Sequence, residues 1–218
     1  MAGSDRLSAA RPRLLDLYCG GGGAAVGYHR AGFDVVGVDV APQPHYPFTF
    51  HQADALSFLE DVSAGDYAAV HASPPCERYS TATLNFLHHP DLYVPTRDAL
   101  EALGLPWVIE NVVGAPYRSG VILCGSMFGL DVRRHRNFET SFPLLAPADC
   151  SCHGTQPWQV TGHLHHVPQL AKRHRKPDRT MAPVLMCTPW MSWEECVLAI
   201  PPAYTLHVGR ALHRWCSL

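Results

Sequence analysis

The sequence predicts an α/β domain built on a mostly parallel sheet with helices on both faces. Two observations point to it. Short apolar runs alternate with helical stretches from Arg13 to Thr140, and glycine and proline turns separate them. The residues best suited to chemistry fall where the apolar runs end, which is the ligand edge of such a sheet.

In order, LLDLY (14–18) reads as a buried strand and GGGGAAVGYHRAG (20–32) as a glycine turn opening a helix. DVVGVDV (34–40) is a second strand, and ADALSFLED (53–61) is a short helix after a third. YAAVHAS (67–73) is a strand stopped by Pro74-Pro75, because two prolines cannot continue a ladder. TRDALEALG (96–104) is a helix closed by Gly104 that leads into the strand WVIENV (107–112). VILCGSMFG (121–129) and RHRNFET (134–140) are later strands. Past residue 141, Pro, His and basic residues dominate. This predicts a main domain over 13–140, a short irregular lobe over 141–190, and a C-terminal segment, 191–218, that packs back on the main domain.

The composition narrows the class. The chain has 218 residues, of which 47% are hydrophobic and 17% charged, which suits a globular chain able to bury a core without staples. No apolar run is long enough to span a bilayer, and no signal-peptide core follows MAGSDRLSAARPR, so a cytoplasmic protein with no membrane contact is expected. The eight cysteines are expected to be reduced thiols. The net charge of -2 means that any nucleic-acid contact must come from a local patch.

Four stretches carry candidate chemistry. The first is Asp16-Leu17-Tyr18-Cys19-Gly20-Gly21-Gly22-Gly23, between a strand and a helix, where the backbone can approach a ligand closely. Asp39 follows about 20 residues later at a strand end, where a carboxylate can take both hydroxyls of a ribose. Asp54 stands where an adenine amino group could be met. The spacing points to a nucleoside-type cofactor and does not separate a dinucleotide from S-adenosylmethionine. The second is Ser73-Pro74-Pro75-Cys76-Glu77-Arg78, which turns a thiol out at the sheet's ligand edge with Arg78 near enough to favour a thiolate. The third is Glu110, a carboxyl among apolar strand neighbours, whose pKa should rise. The fourth is Arg133-Arg134-His135-Arg136, in which strand alternation puts Arg134 and Arg136 on one face and His135 on the other.

In this order, DLYCGGGG (16–23), GVDV (37–40), SPPCERYS (73–80), IENV (109–112), RRHRNFE (133–139) and IPPAYTLHVGRAL (200–212) resemble the DNA (cytosine-5) methyltransferase family, in a small phage-type form. The resemblance implies a Rossmann-like class I S-adenosylmethionine-dependent methyltransferase fold. It implies transfer of the cofactor's methyl to carbon 5 of a flipped-out cytosine in double-stranded DNA, with S-adenosylhomocysteine as product. Cys76 would add to carbon 6, Glu110 would contact N3 and the exocyclic amine, and Arg134 and Arg136 would hold O2 and phosphates. Asp16, Tyr18, Cys19, Gly20, Gly22, Gly23, Asp39, Val40, Asp54, Ala55 and Pro74 would form the cofactor site. Arg78, Ser80, Lys172, Arg173, Arg175 and Lys176 would meet the nucleic acid, and the enzyme would act as a monomer. Residues 77–95 would close over the DNA.

Three features depart from the family pattern. Glu77 stands where a glutamine usually follows the cysteine, and Val132 where a glutamine often precedes the arginines. The target-recognition region between Thr140 and Trp190 is short, which predicts a recognition site of about two to four base pairs. Lys172, Arg173, Arg175, Lys176 and Arg179 crowd one segment suited to phosphate. Cys150-Ser151-Cys152-His153, with His163, His165 and His166, invites a zinc reading, but Cys-x-Cys is tighter than the usual gap of about two to four residues. A polar loop without metal is therefore expected there. An RNA substrate such as tRNA, or a catalytically silent DNA-binding protein, would present many of the same residues. The presence of Cys76, Glu110 and both arginines argues against the silent protein, and a transfer assay on duplex DNA against tRNA separates the other two readings.

Overall fold

The computed structural model describes residues 10–63, 65–80, 88–161 and 175–217. Its centre is a seven-stranded sheet of β1 (Arg13–Leu17), β2 (Asp34–Asp39), β3 (Thr49–Gln52), β4 (Ala69–Ala72), β5 (Trp107–Asn111), β6 (Val121–Leu123) and β7 (Arg136–Thr140), in the order β3-β2-β1-β4-β5-β7-β6. β1 pairs in parallel with β2 and β4, β2 with β3, and β4 with β5, whereas β7 runs antiparallel to both β5 and β6. The order turns back between β1 and β4, so a crevice opens beyond their carboxyl ends.

The strands bury alternate residues on opposite faces. Leu14, Val35, Ala69 and Val108 pack with α1 (Gly23–Arg30) and the C-terminal helix α6 (Pro202–Cys216). Leu15, Val36, Val70 and Ile109 pack with α2 (Ala55–Glu60) and α3 (Tyr93–Leu103). Helices therefore cover both faces, as the sequence predicts. Near-continuous apolar strands follow from this two-sided burial. Gly104 closes α3 with a positive φ of 74°.

A third small core of Val132, Val160, Ala182, Met186, Met191 and Cys196, contributed in part by α4 (Met181–Met186) and α5 (Trp193–Leu198), joins residues 141–190 to the chain before β7 and to the C-terminal segment. Isolated bridges link Val132 to Trp158 and Trp158 to Arg175. The expected strand over 134–140 begins only at Arg136. Its approach is diverted because Arg133 N donates to Trp158 O at 2.8 Å, pairing this stretch with the lobe instead of β6. The expected strand over 121–129 also stops early, at Leu123, and gives way to a 3-10 turn over Gly125–Phe128. Among the described residues no helix is long and apolar enough to cross a membrane.

The C-terminal segment returns to lie on α1. The approach needs Gly27, where an added Cβ would stand 2.0 Å from Thr205 Oγ1 and 2.3 Å from Pro202 O. The Thr205 hydroxyl donates to Ala24 O at 2.8 Å, fixing the register of the two helices. Gly27→Val should therefore lower stability by about 2–3 kcal/mol, seen as a fall of roughly 5–10 °C in the thermal midpoint. An unchanged midpoint would mean that α1 and α6 lie further apart.

Candidate active site

The glycine turn follows β1 because three residues there adopt left-handed backbone: Tyr18, Gly20 and Gly22, the last at φ 84°. An added Cβ on Gly22 would stand 2.7 Å from Pro47 Cδ, so the turn is packed from outside as well as bent. It borders a cavity of about 330 Å³ at the carboxyl ends of β1, β2, β4 and β5. One end of this cavity is lined by Asp16, Tyr18, Cys19, Gly20, Gly23, Asp39 and Val40, and the other by Pro74, Cys76, Glu110 and Arg136. These sequence-predicted residues share one continuous space.

Asp39 accepts Gly20 N–H and Ala41 N–H, one on each carboxylate oxygen, both at 3.0 Å. That fixes the carboxylate and leaves each oxygen a lone pair. Asp16 is buried deeper. Burial and the neighbouring Asp39 hold its pKa well above the usual carboxylate range, against a smaller lowering by the Tyr46 hydroxyl. Neither Asp16 oxygen makes a hydrogen bond of good geometry. Two acidic groups facing one cavity, one of them unsatisfied, suit a ligand bearing hydroxyls and a positive charge. Val40 and Leu198 also line the space, 69% and 68% exposed, and offer apolar surface to a ring.

At the other end, Pro74 O accepts Asn111 Nδ2–H at 2.7 Å, which pins the Pro-Pro turn to the end of β5. Cys76 opens a tight turn whose Cys76 carbonyl takes the N–H groups of Tyr79 and Ser80. Its thiol is pushed above the ordinary value by burial. Arg136 opposes that shift, Glu77 and Glu110 reinforce it, and Arg134 opposes it more weakly. The cation that steadies a thiolate is thus chiefly Arg136 and not Arg78, whose guanidinium donates to His89 O at 3.2 Å.

Glu110 is buried, and burial raises its pKa; Arg136, the Ser73 hydroxyl and Arg134 pull it back. Arg136 Nε stands 3.0 Å from Glu110 Oε1. Behind them, Tyr28 Oη and Ser73 Oγ each lie 2.9 Å from a nitrogen of His71. Burial pushes His71 down to about 3, so it is a neutral link and not a base.

Several sequence expectations need correction. Arg134 does not share a face with Arg136, because the chain is not yet a strand at residue 134. Its buried guanidinium donates to Val160 O at 2.7 Å and Val197 O at 3.0 Å, tying the lobe to α5. It does not line the cavity. Asp54 lies outside the lining and caps α2, accepting Ser57 N–H at 2.9 Å. Ala55 is buried beneath it in the second apolar cluster. Gly22 shapes the turn without lining the space. Ser80 belongs to the turn after Cys76, and Arg175 stacks on the Trp158 ring at 3.9 Å. Lys176 is half-buried beside it. Lys172, Arg173, His163, His165 and His166 lie outside the described residues, as does part of the 77–95 segment.

The sequence reading missed Asn111 as the anchor of the thiol's turn, although it stands beside Glu110. It also missed Glu195, Leu198 and Ala199, which reach the cavity from a segment with no local marker. Trp190 Nε1–H donates to Gly21 O at 2.8 Å, bringing that segment over the glycine turn.

No protein-family model matches the chain, and no curated protein matches it in sequence. Solved structures match it in shape. A protein from an E. coli prophage, described as a DNA modification methyltransferase, superposes with a TM-score of 0.62 at 14% identity, over 95% of this chain and 100% of that one. A Spodoptera frugiperda DNMT2 mutant gives 0.62 at 12% identity, over 93% and 99%. The Entamoeba histolytica methyltransferase EhMeth gives 0.61 at 10% identity, over 94% and 98%. The fold is therefore the Rossmann-like class I methyltransferase fold that the sequence predicts.

The elevated thiol yields a test. In the free protein, carbamidomethylation of Cys76, resolved by peptide mass spectrometry, should rise about tenfold per pH unit from pH 7 to 9 without levelling, because only the thiolate reacts. Arg136→Ala should slow it at every pH in that range. A plateau below pH 8 would show that the thiol is already ionised at rest.

Proposed function

We propose that the protein is a DNA (cytosine-5) methyltransferase that uses S-adenosylmethionine. The observation that carries this reading is the single cavity with a thiol beside a buried carboxylate–guanidinium pair at one end and a glycine turn with a fixed aspartate at the other. The residues fit the cofactor: Asp39 keeps lone pairs for ribose hydroxyls, Val40 and Leu198 can flank a base, and neither Asp16 oxygen makes a hydrogen bond of good geometry. When bound, S-adenosylmethionine supplies an electrophilic methyl on a sulfonium, leaving as S-adenosylhomocysteine.

The chain's residues supply the rest. Carbon 5 of cytosine is a poor nucleophile. Cys76 Sγ, as thiolate, bonds to carbon 6, and the electron pair of the 5,6 double bond is freed to act at carbon 5. Glu110 holds a proton against N3 of the bound ring and accepts from the exocyclic amine, and burial, which favours its protonated form, suits it to that role. The proton given up by Cys76 is balanced by this one. Arg136, held by Glu110 and by its bond to His135 O, faces the O2 position. After carbon 5 takes the methyl, its proton leaves to a base, the double bond re-forms, and Cys76 departs as thiolate.

The reaction needs a base turned out of the stack, so duplex DNA must release the cytosine into the cavity. In this reading residues 141–190 would form the short reader, and Lys172, Arg173, Arg175, Lys176, Arg78 and Ser80 would contact the nucleic acid. The enzyme acts as a monomer in the cytoplasm, since one flipped base needs one pocket.

Expression in bacteria lacking their own cytosine methylation should place 5-methylcytosine in genomic DNA, and Cys76→Ser should abolish it by at least about 10³-fold. Methylation confined to tRNA would transfer the reading to RNA. The absence of both methylation and S-adenosylmethionine binding would overturn it. Asp39→Ala should weaken cofactor binding by roughly 10- to 100-fold in calorimetric titration, the loss of hydrogen bonds to a charged group.

A further inference from the structure

Four ligand-type side chains that the proposed reaction does not use meet behind β7. Cys124 follows β6, His135 immediately precedes β7, and Cys150 and Cys152 lie on the chain that leaves it. Their sulfur and nitrogen atoms all lie within 4.8 Å of one another. His135 Nε2 is 3.4 Å from Cys150 Sγ and 3.5 Å from Cys152 Sγ, and the two sulfurs are 3.3 Å apart. Cys124 and Cys152 are buried, and the four residues come together from three separate stretches of the chain.

We propose that Cys124, His135, Cys150 and Cys152 form a structural zinc site. A tetrahedral ion with Zn–S bonds of about 2.3 Å sets sulfur–sulfur separations of roughly 3.8 Å, so small shifts bring the four atoms onto it. Three thiolates and one imidazole form a soft set that favours Zn²⁺ over Mg²⁺ or Ca²⁺. All eight cysteines are free thiols, so these three can ligate, and each releases its proton on doing so. Four protein ligands close the coordination sphere, which makes the ion structural and leaves no position for substrate.

The surroundings resemble the support that metal ligands need. Ser126 Oγ lies 3.5 Å from Cys150 Sγ and accepts Ser151 N–H at 3.2 Å, holding the Cys-x-Cys turn. His153 is not a ligand in this arrangement, although the sequence suggests it. Its ring lies nearly parallel to that of His135, with centroids 6.1 Å apart. The sequence pattern hides the site because only two ligands are near each other, and at an unusually tight spacing.

The location gives the ion a purpose. The chain from Phe142 to Trp158 has almost no regular structure, and small, loop-rich regions commonly need a staple. The ion would tie that chain to the β6–β7 hairpin. His135 stands between Arg134, which joins lobe to helix, and Arg136, which faces the cavity, so the same bond would fix the backbone that carries both.

The test uses full-length, untagged protein purified in reductant without added metal. Elemental analysis should find about one zinc per chain, and Co²⁺ exchanged for it should show the visible bands of a tetrahedral thiolate complex. Cys124→Ser and Cys152→Ser should each lose the ion, while His153→Ala should keep it. If the serine variants fail to fold, the Co²⁺ spectrum of the parent protein decides the matter. Reduced, folded parent protein that holds no zinc and gives no thiolate–Co²⁺ bands would overturn the proposal. Retention of the ion by both serine variants would do the same, as would a Cys150–Cys152 disulfide that persists in reductant.

Discussion

The close approach of α6 to α1 is the constraint on which the rest of the site depends. With any side chain at Gly27, Thr205 and Pro202 would be pushed outward. Pro202 begins α6, directly after the segment Leu198–Ile200 that walls the cavity. Tyr204, two residues further on, donates to Arg134 O at 2.7 Å. One helix contact therefore sets three things at once: the outer wall of the ligand space, the entry of the chain into β7, and the place of Arg136. A cavity assembled from residues almost 200 positions apart, from Asp16 to Ile200, is only as fixed as that contact.

A second pattern explains why the polar groups can be buried at all. Asp16, His71 and Glu110 lie on the same side of their strands, the side that faces α1 and α6. Each is handled differently. Asp16 is left without a good donor, His71 is neutral between two hydroxyls, and Glu110 is balanced by a guanidinium. A uniformly apolar face would be more stable, since burying an unpaired polar group opposes folding. The unmet demand is concentrated where the cavity opens, and this is what a ligand can relieve.

Much of this was legible in the sequence, for physical reasons that can be named. The β1–α1–β2 unit announces itself because strand burial and glycine turns are local properties, and Cys76 and Glu110 because a proline pair and a strand end mark their places in the sequence. Arg134 was misread because alternation holds only inside a strand, and the Trp158 pairing keeps residues 133–135 out of one. Asp54 caps α2, and a helix cap and a ligand carboxylate have the same local signature. The zinc ligands were invisible beyond Cys150 and Cys152. Cys124 and His135 reach them through the antiparallel pairing of β6 with β7, a long-range fact with no local trace.

The elevated Cys76 thiol bears on how the protein survives between encounters with substrate. Peroxide and similar oxidants attack the thiolate far faster than the thiol. A side chain held protonated by its own desolvation, and by the carboxylates of Glu77 and Glu110, presents little to them at neutral pH. If Cys76 is the nucleophile of the proposed reaction, this lowers its exposure to oxidants during idle time. In the proposed reaction, a ring bound beside Glu110 and Arg136 would change the charges around the thiol and release its reactivity.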